Sequence, residues 1–263
     1  MSLKPDSEPA KQTLKMENKI LFITGADSGI GKAIALLFAK EGADVAIVYL
    51  NEHEDANETK KKVEEYGRKC LLIPGDITHE EFCNEAVEKA IKEFGRIDVL
   101  INNAATQFES DTLEQIKTEN MIKTFQTNIF SMFWITKAAL PHMKKGSAIV
   151  NTTSVTAYKG HGQLIDYSAT KGAIVTFTRS LSQNLLGRGI RVNAVAPGPI
   201  LTPLVAASFP PEKLKEHGKG SPMQRAGQPA EVAPSYLFLA CNEDSSYISG
   251  QVLHPNGGDI VNG

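Results

Sequence analysis

Residues 19–31 read KILFITGADSGIG. Lys19–Thr24 (KILFIT) is a short apolar run, the pattern of a strand covered on both faces. Glycines 25, 29 and 31 follow, and a helical period then begins at Ile30, Ile34, Leu37 and Phe38. The unit is strand, tight turn, helix. Working outward, the same alternation recurs. Asp44–Leu50, Cys70–Pro74, Asp98–Asn102, Ala148–Thr152, Ile190–Ala196 and Gly250–His254 read as strands. Glu52–Tyr66, His79–Phe94, Thr118–Leu140, Tyr167–Leu186 and Glu231–Ala240 read as helices, with Gly67, Gly95 and Pro141 as stops. Strands without polar alternation belong to a parallel sheet with helices on both faces. The expected fold is therefore α/β: one doubly wound domain over residues 18–263 with a sheet of about seven strands. Residues 1–17 carry Lys4, Asp6, Glu8 and Lys11 beside Pro5 and Pro9, and read as a flexible leader. Residues 199–221 hold Pro203, Pro210, Pro211, Gly218 and Gly220. That segment is too long for an ordinary connection and reads as a lid over a site.

Composition narrows the function. The 263 residues contain 41% hydrophobic residues, enough for a real core, which excludes wholesale disorder. The 28 basic residues against 30 acidic ones, with a net charge of −2 and no basic stripe, speak against a nucleic-acid partner. No window has the length of a membrane span, and the first residues have no apolar signal region. Cys70, Cys83 and Cys241 are an odd number, far apart and without a CxxC, so a disulfide framework or zinc site is not expected. A reduced, cytoplasmic chain fits. The six histidines show no metal-ligand spacing.

Where strand becomes helix, a residue without Cβ lets the backbone turn sharply and approach a ligand. The helix N-terminus then presents free N–H groups and a partial positive charge to a pyrophosphate. A merely tight β–α turn is the plainer alternative. The spacing is G-x-x-x-G-x-G rather than G-x-G-x-x-G.

Tyr167 and Lys171 stand at i and i+4 on one expected helix, so their side chains can meet. A free phenol has a pKa of about 10. Lowering it by about three units needs roughly 4 kcal/mol of preference for phenolate. One ammonium at about 4 Å supplies that order at an effective dielectric of about 20. An ordinary amphipathic pair is the alternative. Ser154 follows the fifth strand, at the end of the sheet where such folds place ligands, though a lone serine there can simply turn the chain. Asn128 lies inside an expected helix, where asparagine has poor propensity and can bond the local backbone instead.

The stretch TGADSGIG, followed by Asn102-Asn103-Ala104-Ala105, Asn128, Ser154, the Tyr167-Ser-Ala-Thr-Lys171 motif and Pro197-Gly198, resembles the classical branch of the short-chain dehydrogenase/reductase family. The likeness runs from about Lys19 to Gly258. The longer stretches look like bacterial oxidoreductases similar to glucose and general-stress dehydrogenases. Ala105 replaces a glycine common at the end of that family's motif.

The resemblance implies a Rossmann-like domain that transfers a hydride between NAD(P) and a carbonyl or alcohol of a small substrate. It implies that Tyr167 is the acid/base and that Lys171 supports it while holding the nicotinamide ribose. Ser154 would bind the substrate oxygen, and Asn128 would hold a relay water. For the cofactor it implies Gly25, Asp27, Ser28, Gly29, Ile30 and Gly31 in the loop, with Tyr49 at the end of the second strand. Asp76 and Ile77 would lie at adenine, although Asp76 also reads as a helix cap. Asn103 and Ala104 would lie near the adenosine ribose, and Pro197, Gly198, Ile200 and Thr202 at the nicotinamide. No metal is required.

Tyr49-Leu50-Asn51 carries neither the acid of NAD sites nor the base of NADP sites. Asp27 would repel a 2′-phosphate, so the balance leans to NAD, with Lys32 as the residue that could reverse it. His161 and Gln163, between Ser154 and Tyr167, are expected to touch substrate. Gln107, Phe108, Val155, Tyr158, Leu204 and Phe209 are expected beside it as walls suited to a small carbonyl or sugar. Two rival functions share the fold: a catalytically weak nucleotide-binding regulator, and a sugar-nucleotide epimerase or dehydratase, whose larger C-terminal domain is absent. The resemblance also implies a homotetramer. The two long helices carry large apolar residues beyond one stripe, including Phe125, Phe130, Phe133, Trp134 and Phe177, and a second face must find cover.

Overall fold

The computed structural model describes residues 14–208 and 211–261. Seven parallel strands form one sheet in the order β3-β2-β1-β4-β5-β6-β7. They are β1 (Ile20–Thr24), β2 (Asp44–Tyr49), β3 (Cys70–Pro74), β4 (Val99–Asn102), β5 (Ala148–Thr152), β6 (Arg191–Val195) and β7 (Val252–Leu253). The helices are α1 (Gly29–Lys40), α2 (His53–Glu65), α3 (Glu80–Phe94), α4 (Thr118–Phe125), α5 (Ser131–Ala139), α6 (Thr156–Lys159), α7 (Ile165–Leu185), α8 (Pro203–Ser208), α9 (Pro211–Glu216), α10 (Pro229–Ala240) and α11 (Asn242–Ser245).

Period two sorts each strand between two cores. Leu21 and Ile23 face a core shared with Ile34 and Phe38 of α1 and with Val232, Tyr236 and Leu239 of α10. Phe22 faces the opposite core, with Cys83 and Val87 of α3, Ile135 of α5 and Leu185 of α7. Phe22 and Phe38 are fully buried, and truncating either to alanine costs about 3–5 kcal/mol. Chain order reverses beside β1, which pairs with β2 on one side and β4 on the other. That reversal opens a crevice at the carboxyl ends of the strands.

Four expectations need adjustment. The stretch 14–17, expected in the leader, is packed: Met16 is buried and its N–H donates to the Glu41 carbonyl at 2.9 Å. Residues 1–13 lie outside the described residues. The single helix expected over Thr118–Leu140 is three pieces, α4, a π turn at Gln126–Phe130 and α5, followed by a 3₁₀ turn at Leu140–His142. The last strand is shorter than Gly250–His254, and Gly250 has a φ of 76°, outside strand geometry. The stretch 199–221 contains α8 and α9 and is tied down where Ile200 bridges to Gly227.

Candidate active site

The turn from β1 to α1 is built by close approach. A Cβ on Gly31 would lie 1.9 Å from the Gly25 carbonyl oxygen. Gly25 has a φ of 65°, and a Cβ there would sit 2.9 Å from the Ala104 Cα. The end of β4 clamps this loop. Asn103 Nδ2 donates to the carbonyls of Thr24 (3.1 Å) and Gly25 (2.9 Å), and the N–H groups of Asn103 and Ala104 both donate to Thr24 Oγ1 at 3.0 Å. The cradle suits a phosphate group, because main-chain N–H groups at the start of α1 are brought close with no side chain in the way.

A cavity of about 640 Å³ runs from this loop across the carboxyl ends of the strands. Every residue expected at the cofactor lines it: Gly25, Asp27 to Gly31, Tyr49, Asp76, Ile77, Asn103, Ala104, Tyr167, Lys171, Pro197, Gly198, Ile200 and Thr202. Ser154, His161, Gln107, Val155 and Leu204 line it too. Phe108 does not, and neither does Tyr158. Tyr158 turns away to stack edge-on against His254, at a centroid distance of 4.8 Å. Phe209 lies outside the described residues. The sequence reading missed Gly75, Lys123, Thr127, Leu164, His217 and Asp259, which also line the cavity. Gly75 carried a signal in its position just after β3: a Cβ there would lie 2.1 Å from the Phe82 ring.

Tyr167 and Lys171 meet on α7 as their spacing requires. The Lys171 amine lies 5.2 Å from the centre of the Tyr167 ring and donates to the Thr152 carbonyl at 3.0 Å. The Ser154 hydroxyl is near enough to the Tyr167 phenol to favour its ionised form. Ser154 Oγ in turn accepts the Thr156 N–H at 3.2 Å. Burial acts on both groups beside the effect of lysine on the phenol that the spacing implies. Burial pushes Tyr167 up to about 12, opposed in part by the neighbouring Ser154 hydroxyl. Burial also pushes Lys171 down to about 7. The reason is desolvation: both groups resist charge where water is excluded.

Asn128 is fully buried behind the cavity and does not line it. Its Oδ1 accepts the Thr106 N–H (2.8 Å), and its Nδ2 donates to the Thr106 carbonyl (2.9 Å) and to Thr170 Oγ1 (3.1 Å). It sits in the π turn, a wider coil that changes the i→i+4 pairing of backbone carbonyls. Thus Asn128 fastens the chain after β4 to α7. At the far end, Asp27 accepts a bond from the Ser28 hydroxyl at 3.0 Å. Lys32 is engaged by Glu58 at 2.8 Å, and Tyr49 bonds His53 at 2.9 Å.

A family model described as enoyl-(acyl carrier protein) reductase matches residues 25–259, a span that takes in the glycine loop and the Tyr–Lys pair. The chain belongs to the short-chain dehydrogenase/reductase family. This dehydrogenase/reductase is 61% identical over 263 residues to an uncharacterized oxidoreductase, YhxC, of Bacillus subtilis strain 168, covering 100% of this chain and 92% of that one. It is 55% identical to general stress protein 39 of the same organism, covering 97% of this chain and 88% of that one. Among solved structures, a short chain dehydrogenase from Burkholderia cenocepacia J2315 in complex with NADP matches with a TM-score of 0.87 at 30% identity. That match covers 93% of this chain and 98% of the other. The dehydrogenase/reductase described here is accordingly an oxidoreductase acting on CH–OH groups. No helix among the described residues is long and apolar enough to cross a membrane.

Proposed function

We propose that this enzyme interconverts a carbonyl and an alcohol on a small substrate, with Tyr167, Lys171, Ser154 and Asn128 as its proton-handling site. The observation that carries the reading is the Ser154–Tyr167 hydroxyl pair, backed by Lys171, in the same cavity as the glycine cradle. Bound there, NAD(P) supplies or accepts the hydride. Two hydroxyls side by side can both donate to one oxygen atom, which suits a carbonyl. In reduction the Tyr167 phenol gives its proton to the substrate oxygen while Ser154 holds that oxygen in place. In oxidation Tyr167 takes the proton back. Lys171 favours the phenolate whenever its amine is protonated, and holds the nicotinamide ribose. Asn128 stiffens the cavity wall at Thr106 and keeps the π turn in register, where a relay water toward Lys171 would sit. His161, exposed at the cavity wall, contacts substrate.

The same reading favours NAD over NADP. Asp27 stands in the loop, and Lys32 is engaged by Glu58 rather than presented to the cavity. It also includes a lid over 199–221, carried by Leu204, His217 and Gly218 at the cavity edge, and a homotetramer. Support for assembly comes from Phe130 and Phe133, 44% and 52% exposed, with Met121, Ile122 and Leu186 also exposed. Phe133 stacks on Phe177 across the two long helical stretches, joining them into one apolar face. Three buried free thiols suit a reducing, cytoplasmic setting.

The experiment is a panel of aldehydes, ketones and sugars with both cofactors, followed by the absorbance of reduced nicotinamide. Turnover that disappears in Tyr167→Phe supports the assignment. Turnover retained in that variant overturns it.

A further inference from the structure

Three bonds at Thr152, the last residue of β5, form a directed chain. Asn103 Nδ2 faces two carbonyls, so its Oδ1 is identified as the atom turned toward Thr152. A carbonyl oxygen only accepts, so the single Thr152 hydroxyl proton goes to Asn103 Oδ1, 3.2 Å away. The Tyr236 hydroxyl, 2.8 Å from Thr152 Oγ1, must then be the donor. The carbonyl of the same threonine accepts the Lys171 amine at 3.0 Å. Thr152 therefore touches both the amine beside Tyr167 and the Asn103 clamp on the glycine loop. Tyr236 comes from α10, which belongs to neither motif, and is fully buried. A hydroxyl buried to that degree stays only if bonded.

We propose that Tyr236 is a positioning residue, which through Thr152 sets both the place of the Lys171 amine and the closure of Asn103 on the glycine loop. This rests on the reading of Tyr167 and Lys171 given under Proposed function. Its consequence is coupling: one phenol on α10 tunes cofactor affinity and proton transfer together.

The test uses Tyr236→Phe, Thr152→Val, Thr152→Ser, the double variant Tyr236→Phe/Thr152→Val, and Lys171→Met as reference. Two quantities are read: the Kd of reduced cofactor by nicotinamide fluorescence, and the pH profile of kcat/KM for alcohol oxidation. Tyr236→Phe should weaken cofactor binding about three- to tenfold, the size of one net hydrogen bond. It should also move the profile to higher pH. Thr152→Val keeps the β-branched shape but strands Asn103 Oδ1 and the Tyr236 hydroxyl, so it should do more. Thr152→Ser should restore both readings. The double variant should be no worse than Thr152→Val alone. Wild-type Kd and pH profile in both Tyr236→Phe and Thr152→Val, with Lys171→Met shifting both, overturns the inference even if the variants melt at lower temperature. If Lys171→Met shifts neither, the site reading itself fails and the inference falls with it.

Discussion

Replacing Lys171 with methionine should change how the stability of the protein depends on pH, in a direction set by where the lysine sits. Lys171 is 1% exposed and hydrogen-bonded to a carbonyl, and among the described residues no carboxylate contacts its amine. Burial lowers it from the ordinary 10.5 to about 7. A gap of about 3.5 corresponds to about 5 kcal/mol, at roughly 1.4 kcal/mol per pH unit. The folded value is the depressed one. The Lys171 contribution is therefore most favourable above 10.5, where the amine is neutral in both states, and is lost as pH falls toward 7, because folding then has to shed a proton or bury a charge. Methionine fills similar space without a charge. Urea unfolding of both proteins should show the methionine variant ahead at about pH 7.5, with its lead shrinking by about 2–3 kcal/mol by about pH 9.5. Tyr167 does not enter this window. Its folded value is raised to about 12, so its contribution is complete below 10 and is lost only above that. Cys70 and Cys83, raised by burial to about 12, act equally in both proteins and cancel in the difference. Parallel stability curves across the window would refute the claim that burial keeps this amine largely uncharged.

Tyr167→Phe should lose at least about a hundredfold in kcat, in the usual range for a general acid/base, while cofactor Kd stays within about threefold; calorimetric binding beside a turnover assay checks both. Gly31→Ala places a methyl group 1.9 Å from the Gly25 carbonyl oxygen, so the loop must shift. Cofactor Kd should rise by at least about tenfold, or about 1.4 kcal/mol, and an unchanged Kd would show that the cradle is not the phosphate site. Light scattering at micromolar concentration should report four chains, and Phe133→Glu should lower that number; a wild-type monomer rules out the tetramer.

Much of the molecule was legible because its signals are local. Continuous apolar runs such as Phe22–Ile23 need cover on both sides, and a parallel sheet is the arrangement that supplies it. Glycines 25, 29 and 31 declare a close approach before any ligand is considered, and the Tyr167–Lys171 spacing follows from helical geometry alone. Other features arise from groups distant in sequence. Nothing near Asn128 announces a π turn, which is stabilised from outside by Thr106 and Thr170. Sequence adjacency likewise could not show that Tyr158 faces His254 while Val155 faces the cavity. Met16 reads as leader until Glu41 and the α1 core are placed beside it. Lys171 shows the same division: spacing brings the amine to the phenol, but the desolvation that lowers its pKa is a sum over every element packed around them. The sequence by itself therefore determined the succession of strands along the chain, the glycine turn and the pairing of Tyr167 with Lys171 on one helix face, all of which depend on neighbours a few residues away. Only the tertiary structure decided which walls line the cavity, how each reacting group holds its proton, and that Tyr236 stands behind Thr152, because each depends on contacts between segments far apart in the chain.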